Sequence, residues 1–386
     1  MLLTIIIFVL VLSALVFAHE LGHFYTARRF GVKAEEFGFG FPPRAVGWYK
    51  NQSGRWRQVL GNESAESLEN SPEEARRPAP RATIYSLNWL PIGGFVKIKG
   101  ENGDGVQDKD SFAAQPIWQR VIILSAGVIM NIVLAWFLLS VGYIFGMPQS
   151  TDTLGPRAVI SGQEVTVIQV MPGSPAAQAG LKEGDAILRI NDTAIGTEKS
   201  LQDAVASQAG QEIKISLKRG GQEQTVSAVP AVKDGGRATI GVAIVSSGSV
   251  SYPFFTAFWE GAKTTTWILK EIFIAFFELF RSIFQGNNVS DQFAGPVGIA
   301  DITGQAARLG FTHLLQFMAL LSLNLAVLNI LPFPALDGGR IVFLLIEKIK
   351  GRPVRKEIEG LIHNIGFLLL IALVIFITYK DIIKFF

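Results

Sequence analysis

The sequence predicts a polytopic α-helical membrane protein with about four spans, a membrane-associated β-hairpin or strand region, and one extracytoplasmic α+β domain. Of its 386 residues, 49% are hydrophobic and 17% are charged, whereas an ordinary soluble domain is about a quarter charged. The apolar residues form long runs, as bilayer crossing requires. Residues 160–248 differ, because short β-like stretches alternate there with glycine turns.

The net charge and the cysteine and histidine content limit the partners and the metal ligands that this chain can have. The net charge of +3 gives no reason to expect a nucleic-acid partner and fits Lys and Arg gathered in cytoplasmic loops. The chain has no cysteine, so a metal ion would need His, Asp, Glu or water as ligands. The four histidines are His19, His23, His313 and His363. We interpret the last two as structural or surface residues, because neither has a neighbour at ligand spacing.

The apolar run Leu2–Phe17 predicts a first span over residues 1–30. A cleaved signal peptide is the alternative, because Val16-Phe17-Ala18 resembles a cleavage site. No positive charge precedes the run, however, and Arg28 and Arg29 follow it. We therefore expect a retained span with its N-terminus outside and its far end at the cytoplasm.

The sequence His19-Glu20-Leu21-Gly22-His23 follows this run directly. Side chains four residues apart lie on one face of a helix, so both imidazoles can bind one metal ion. Glu20 can then act as base toward a metal-bound water. The alternative is that both histidines are neutral side chains tied to polar residues of other spans.

Residues 31–116 predict a membrane-reentrant β region. Phe37–Pro43 is too broken by Gly and Pro for a helix and too apolar for a solvated loop, so an extended hairpin is expected. Residues 51–80 are polar and charged, and we expect a flexible cytoplasmic insertion of unassigned role. The run Leu90–Ile98 that follows is strand-like.

The later elements follow from apolar length and charge. Residues 117–147 predict the second span, in which Asn131 needs a polar partner. Residues 253–310 carry too many charges for a span and predict interfacial amphipathic helices. The third span covers 314–339, a basic cytoplasmic loop covers 340–360, and the fourth span covers 361–380, so both termini lie outside.

A catalytic zinc site usually has three protein ligands and a water, so two histidines leave it one ligand short. Glu35 and Glu36 are available, but a glycine-rich loop follows them and no helix carries them back. Asp337 is better placed, because it ends the third span at the depth where the first span ends. A carboxylate at membrane depth costs about 2.5–3.5 kcal/mol, which metal coordination offsets. The alternative is an ordinary turn residue at a helix end.

With these residues the chain resembles the bacterial site-2 proteases, intramembrane zinc metalloproteases of the regulator-of-sigma-E type. The resemblance covers nearly the whole chain, and its first and last motifs are the most specific. The matching segments are His19–His23, Phe37–Gly40, Leu90–Lys97, Ala126-Gly127 with Asn131, Ala294–Ala300 and Asn329–Gly339.

The resemblance implies one zinc ion per chain, held by His19, His23 and Asp337, with Glu20 as catalytic base. It also implies that Asn329 helps to hold the substrate backbone near the metal. Finally, it implies that the strand containing Gly93, Gly94, Phe95 and Val96 pairs with an unwound substrate segment. The alternative for Gly93-Gly94 is a tight turn of a hairpin at the membrane surface.

The outer domain resembles a PDZ domain through Pro172–Ala177 and Ala179–Asn191. No clear Gly-Leu-Gly-Phe-like loop for a peptide carboxylate is found in it. Two roles therefore stay open: binding of a peptide or substrate ectodomain, and a steric gate against substrates with large outer domains.

We therefore expect a multi-pass protein of the cell inner (plasma) membrane, with both termini and the PDZ-like domain outside and the active site near the cytoplasm. The expected reaction is hydrolysis of peptide bonds in transmembrane segments of single-span proteins, such as anti-sigma factors or remnant signal peptides. One alternative is a membrane-anchored PDZ adaptor with a structural metal or none. The other is a secreted metallopeptidase, against which the later spans argue.

Overall fold

The computed structural model describes residues 2–61, 63–69, 82–150, 154–155, 157–219, 222–232, 237–287 and 295–385. The chain forms two compact units, one of Met1–Leu139 with Gly261–Phe386 and the other of Ser140–Glu260. Each is described by itself.

The helices of the chain are α1 (Leu2–Arg29), α2 (Ala65–Glu69), α3 (Ile117–Phe145), α4 (Pro175–Gln178), α5 (Glu198–Ala206), α6 (Phe254–Phe284), α7 (Pro296–Leu309), α8 (Phe311–Ile330), α9 (Asp337–Lys350) and α10 (Lys356–Phe385). Among the described residues, four helices are long and apolar enough to cross a membrane: α1, α3, α8 and α10. The amphipathic helices expected over 253–310 are α6 and α7, and residues 288–294 between them lie outside the described part.

Close approach of three helices positions the metal-site residues. A Cβ at Gly22 of α1 would collide with the Ala126 carbonyl of α3, so the glycine lets the two backbones touch. On the other side of α3, Ser322 of α8 donates a hydrogen bond of 2.8 Å to the Asn131 carbonyl. The first contact packs α3 against the stretch of α1 that carries the histidines, and the second joins α3 to α8.

The β region is a three-stranded antiparallel sheet in the order β2-β1-β3, formed by β1 (Ala34–Lys50), β2 (Trp56–Leu60) and β3 (Ile84–Ile98). Strand β3 doubles back, so that Phe37 of β1 lies between Val96 on one side and Tyr85 on the other. Residues 94–98 therefore form one edge of the sheet, and no other described strand pairs with that edge.

The structure corrects the expectation of a flexible insertion over 51–80. Trp56–Leu60 is strand β2 and pairs with Val46–Lys50. Val59 packs with Tyr49, Leu68 and Ile84 in a small buried cluster. The segment forms a strand with few apolar residues of its own, because Tyr49 of β1 and Ile84 of β3 supply the rest of this cluster. Residues 62 and 70–80 of the predicted insertion lie outside the described part.

The structure also corrects the basic loop expected over 340–360 and the predicted end of the third span. Helix α8 ends at Ile330, and Asp337 opens a separate helix, α9, that continues to Lys350. Leu344 of α9 is buried with Ile123 and Leu124 of α3. Lysines that indicated a loop instead lie in the last turn of α9, where cations stabilise a helix.

The second unit is built on one sheet in the order β4-β12-β5-β6-β8-β9, with β7 paired to β6. Its strands are β4 (Met147–Ser150), β5 (Val159–Val170), β6 (Ala186–Ile190), β7 (Thr193–Ala194), β8 (Ile213–Arg219), β9 (Gln222–Ala228) and β12 (Val242–Ser251), with β10 (Ala231–Val232) and β11 (Ala238–Thr239) as a separate pair. Burial opposes ionisation of Asp185, but the Arg219 guanidinium and the Lys182 N–H hold the pKa of that carboxyl below its usual range.

Candidate metal centre

Helices α1 and α9 bring His19, His23 and Asp337 together. The Nε2 atoms of the two histidines lie 3.1 Å apart, and Asp337 Oδ2 lies 3.1 Å from His19 Nε2 and 3.4 Å from His23 Nε2. Both histidines are 7% exposed. Among the described residues, these three form the cluster of His and carboxylate atoms close enough to bind one metal ion.

The outer nitrogen of each imidazole has a partner on α3. His23 Nδ1 lies 2.8 Å from the Ile123 carbonyl, to which it donates, so its Nε2 is left with a lone pair. His19 Nδ1 lies 3.3 Å from the side-chain amide of the fully buried Asn131. The Asn131 oxygen has no partner, and turning the amide over would let this oxygen accept the His19 Nδ1–H. Asn131, which the sequence predicted to need a polar partner, thus has His19 as that partner.

These three residues fit a zinc ion. Asp337 places its carboxylate oxygen Oδ2 within 3.4 Å of the Nε2 atoms of both imidazoles. Its Oδ2 is buried and receives no hydrogen bond. With the imidazole hydrogens on the Nδ1 atoms, the lone pairs of the two Nε2 atoms and of Oδ2 face one another. A cation bound between them would remove the repulsion among these lone pairs. Two nitrogens and one carboxylate oxygen are a usual catalytic zinc set.

Gly127 of α3 forms one wall of this site. A Cβ added at Gly127 would collide with the imidazoles of both His19 and His23. Only a residue without a side chain leaves room for both rings here. This role of Gly127 is not visible in the sequence, since nothing local shows what faces a helical glycine.

Glu20 is half-buried and faces the edge of the β sheet. Its Oε2 accepts a hydrogen bond of 3.2 Å from the Val96 N–H of β3. The residue predicted to be the base and the strand predicted to bind substrate are therefore in direct contact. Phe95, the residue before Val96 in the strand, is half-buried and lies beside Gly38 of β1.

Ser13 of α1 ties the beginning of this strand segment to the helix. It donates to the Pro91 carbonyl at 3.0 Å and accepts from the Gly93 N–H at 3.1 Å. Gly93 has φ +76°, the conformation of a turn, while Gly94 continues into the strand opposite Phe39. Ser13 is not among the residues predicted from the sequence, although a serine in an otherwise apolar run is a signal of this kind.

Asn329 lies apart from these contacts. It is half-buried in the last turn of α8, and the described residues give it no hydrogen bond to the histidines, Glu20 or Asp337. His313 lies in the first turn of α8, and His363 contacts the turn between α8 and α9.

Comparisons with known proteins identify the family of this chain. The model of peptidase family M50 matches residues 7–60 and 76–373. The regulator of sigma-W protease RasP of Bacillus subtilis is 31% identical, over 99% of both chains. The zinc metalloprotease RasP of Geobacillus kaustophilus is 27% identical, over 99% of this chain and 98% of its own.

Among solved structures, the PDZ domain of an SdrC-like protein from Listeria monocytogenes is 25% identical, with a TM-score of 0.21. It covers 22% of this chain and 92% of its own.

The family match covers most of the chain, including all residues of the His19–His23 motif and Asp337. The chain therefore belongs to peptidase family M50 and is a zinc-dependent metalloendopeptidase.

Proposed function

We propose that this protein is an intramembrane protease that hydrolyses peptide bonds within transmembrane segments of single-span membrane proteins. The observation that carries the proposal is the place of the metal site within α1. About 15 Å of helix separates His19 from Arg29 at its end, which is roughly half the thickness of a bilayer core. A site at this depth faces spans rather than soluble chains.

In the proposed mechanism, His19, His23 and Asp337 hold the zinc ion. When bound, zinc polarises the scissile carbonyl and activates water. Glu20 takes the proton from the attacking water and returns it to the leaving amine. The Val96 N–H keeps the Glu20 carboxylate at the strand edge, where the substrate backbone is expected.

The edge of β3 that no other described strand pairs with supports the proposed mode of substrate binding, and its Val96 N–H is bonded to Glu20. A helical span hides its peptide bonds in its own hydrogen bonds, and unpaired backbone groups are costly in lipid. Gly94, Phe95 and Val96 offer an edge to which an extended substrate segment can add, while Gly93 forms the turn before it. Asn329 lies at the end of α8, before the turn that leads to Asp337, and we propose that it holds the substrate backbone.

We also propose the membrane arrangement expected from the charges, with both termini and the second unit outside a plasma membrane. Helix α6 supports an interfacial position, because Phe255, Phe277 and Phe284 form an exposed stripe with exposures of 87%, 72% and 88%. The sigma-W function in the name of the Bacillus subtilis relative favours an anti-sigma factor as substrate, and remnant signal peptides have the same single-span form.

An Asp337→Asn variant tests the proposed site. Loss of a hydrogen-bond partner of a metal ligand weakens metal sites by about 10–100-fold, so loss of a ligand itself should cost more than that in zinc affinity. Zinc affinity is measured by chelator competition on purified protein, with Asp192→Asn, an exposed carboxylate of the second unit, as control. Cleavage sites in a single-span reporter are mapped by mass spectrometry. Unchanged zinc binding, or cleavage confined to the reporter's soluble parts, would contradict the proposal.

A groove in the second unit supports peptide binding there. A cavity of about 280 Å³ lies between α5 and the start of β12 and is lined by Leu201, Val205, Ile240 and Val242, with Arg237 also in its lining. Thr239-Ile240-Gly241-Val242 forms an apolar turn with Gly241 at φ +76°. This turn is a candidate carboxylate loop, although its residues differ from the Gly-Leu-Gly-Phe pattern sought in the sequence. We propose that the groove binds an extended peptide with an apolar, free C-terminus.

Val205→Glu should abolish this binding, because it places a carboxylate in the apolar groove. Binding of a labelled peptide with a free C-terminus to the full-length protein is compared with that of its amidated form. Val229→Glu, at a position of the same unit that is 49% exposed, is the control. If neither peptide binds the wild type, the steric-gate role is favoured instead.

A further inference from the structure

His363 of α10 contacts the turn that precedes Asp337. Its Nδ1 lies 2.8 Å from the Ala335 nitrogen and accepts that N–H. The ring must therefore carry its hydrogen on Nε2, which is buried without a hydrogen-bond partner among the described residues. The ring also lies against Phe343 of α9, with centroids 5.4 Å apart. The orientation of the imidazole is thus fixed by the turn on one side and by α9 on the other.

The turn that His363 contacts is strained. Ala335 has φ +74°, a backbone conformation that residues other than glycine seldom adopt. Such conformations persist only where the surrounding structure holds them, and they cluster at functional sites. Pro332 and Pro334 have no N–H, so they cannot donate a hydrogen bond that would fix the turn. Within the turn the N–H groups of Phe333 and Leu336 donate to the Leu331 and Phe333 carbonyls, so the Ala335 N–H is the donor left for a neighbouring element.

A glycine of α10 also packs closely against the same turn. Gly366 lies one helical turn after His363, on the same face of α10. A Cβ there would collide with the Cβ and backbone of Pro334. One face of α10 therefore carries both an acceptor for Ala335 and a recess for Pro334.

We propose that His363 is a positioning residue for the zinc ligand Asp337, an inference that rests on the ligand role proposed above. Asp337 follows Ala335 by two residues, so the conformation of the turn sets where its carboxylate lies. Metal binding needs ligand distances within about 0.2 Å of the preferred values. By fixing Ala335, α10 holds the carboxylate in reach of His19 and His23, although His363 touches neither the metal ligands nor the substrate.

Replacement of His363 by the two side-chain amides provides the test. The Asn oxygen lies near the position of Nδ1, whereas the Gln oxygen lies near that of Nε2. His363→Asn should therefore keep zinc affinity close to wild type, and His363→Gln should weaken it about 10-fold, as loss of a group that orients a metal ligand does. Affinity is measured by chelator competition on the purified full-length protein. His313→Gln, a histidine of α8 that does not contact the turn, is the control.

An Ala335→Gly background distinguishes positioning of the turn from general weakening of α10. Glycine adopts positive φ without strain, so His363→Gln should cost less zinc affinity there than in the wild type. Equal affinity of the Asn and Gln variants, or an equal cost in both backgrounds, would overturn the inference. If Asp337→Asn weakens zinc binding and His363→Gln does not, this inference fails while the proposed function stands. If Asp337→Asn has no effect, the proposed function itself fails.

Discussion

A Glu20→Gln variant should bind zinc with wild-type affinity and lose at least about 100-fold in turnover, the lower end of what general acid–base catalysis contributes. The amide cannot take a proton from water at neutral pH. Its oxygen can still accept the Val96 N–H, so the contact between α1 and the strand edge should remain. The metal ligands are untouched, since Glu20 is not one of the three clustered residues.

Turnover is measured on a purified single-span reporter, and zinc content by elemental analysis of the same preparations. Glu35→Gln is the matched control, because Glu35 is a neighbouring carboxylate that pairs with Lys97 at 2.8 Å and lies outside the cluster. Normal cleavage by the Glu20 variant would show that another group moves the proton. An inactive variant that still binds zinc should also retain uncleaved substrates, and the proteins that copurify with it would identify them.

The long apolar helices and the histidine pair were predictable because their signals are local. A run such as Leu2–Phe17 is apolar whatever surrounds it, and the spacing of His19 and His23 places them on one helix face without further information. The four apolar helices of the structure lie where the runs indicated.

The surroundings of Asp337 were less predictable, because they depend on packing between distant segments. The lysines near residue 350 indicated a loop, but burial of Leu344 against α3 makes the segment a helix that Asp337 opens. Strand β2 formed for a similar reason, since Val59 is buried by residues from β1 and β3. Composition within a window cannot report a partner more than 200 residues away, as Leu344 is from Ile123.

The same limit applies to Gly127, whose importance is visible only in three dimensions. Glycine in the middle of a helix costs up to about 1 kcal/mol relative to alanine, so its presence in α3 calls for a reason. The reason here is the pair of imidazoles on α1, which lie where a side chain at this position would be. The backbones of α1 and α3 are closely packed at Gly22 and Ala126, so moving the helices apart to make room would break this packing.

Gly127→Ala should therefore weaken zinc binding by about 10–100-fold, the range found when ligand orientation is disturbed, and cleavage should fall with it. The added methyl group must displace His19, His23 or both, and ligand distances tolerate only about 0.2 Å. Gly360→Ala is the control, because Gly360 is also helical and has open space around its Cβ position.

Thermal unfolding of the two alanine variants distinguishes a clash at the zinc ligands from a general loss of stability. Alanine favours the helix at both positions, so metal-free Gly127→Ala should unfold no earlier than Gly360→Ala if the clash is confined to the imidazoles. Loss of zinc with stability preserved would place the clash at the ligands. Full zinc binding and cleavage by Gly127→Ala would mean that the imidazoles do not lie against α3 in the active enzyme, and the ligand geometry derived from His19, His23 and Asp337 would then have to be abandoned.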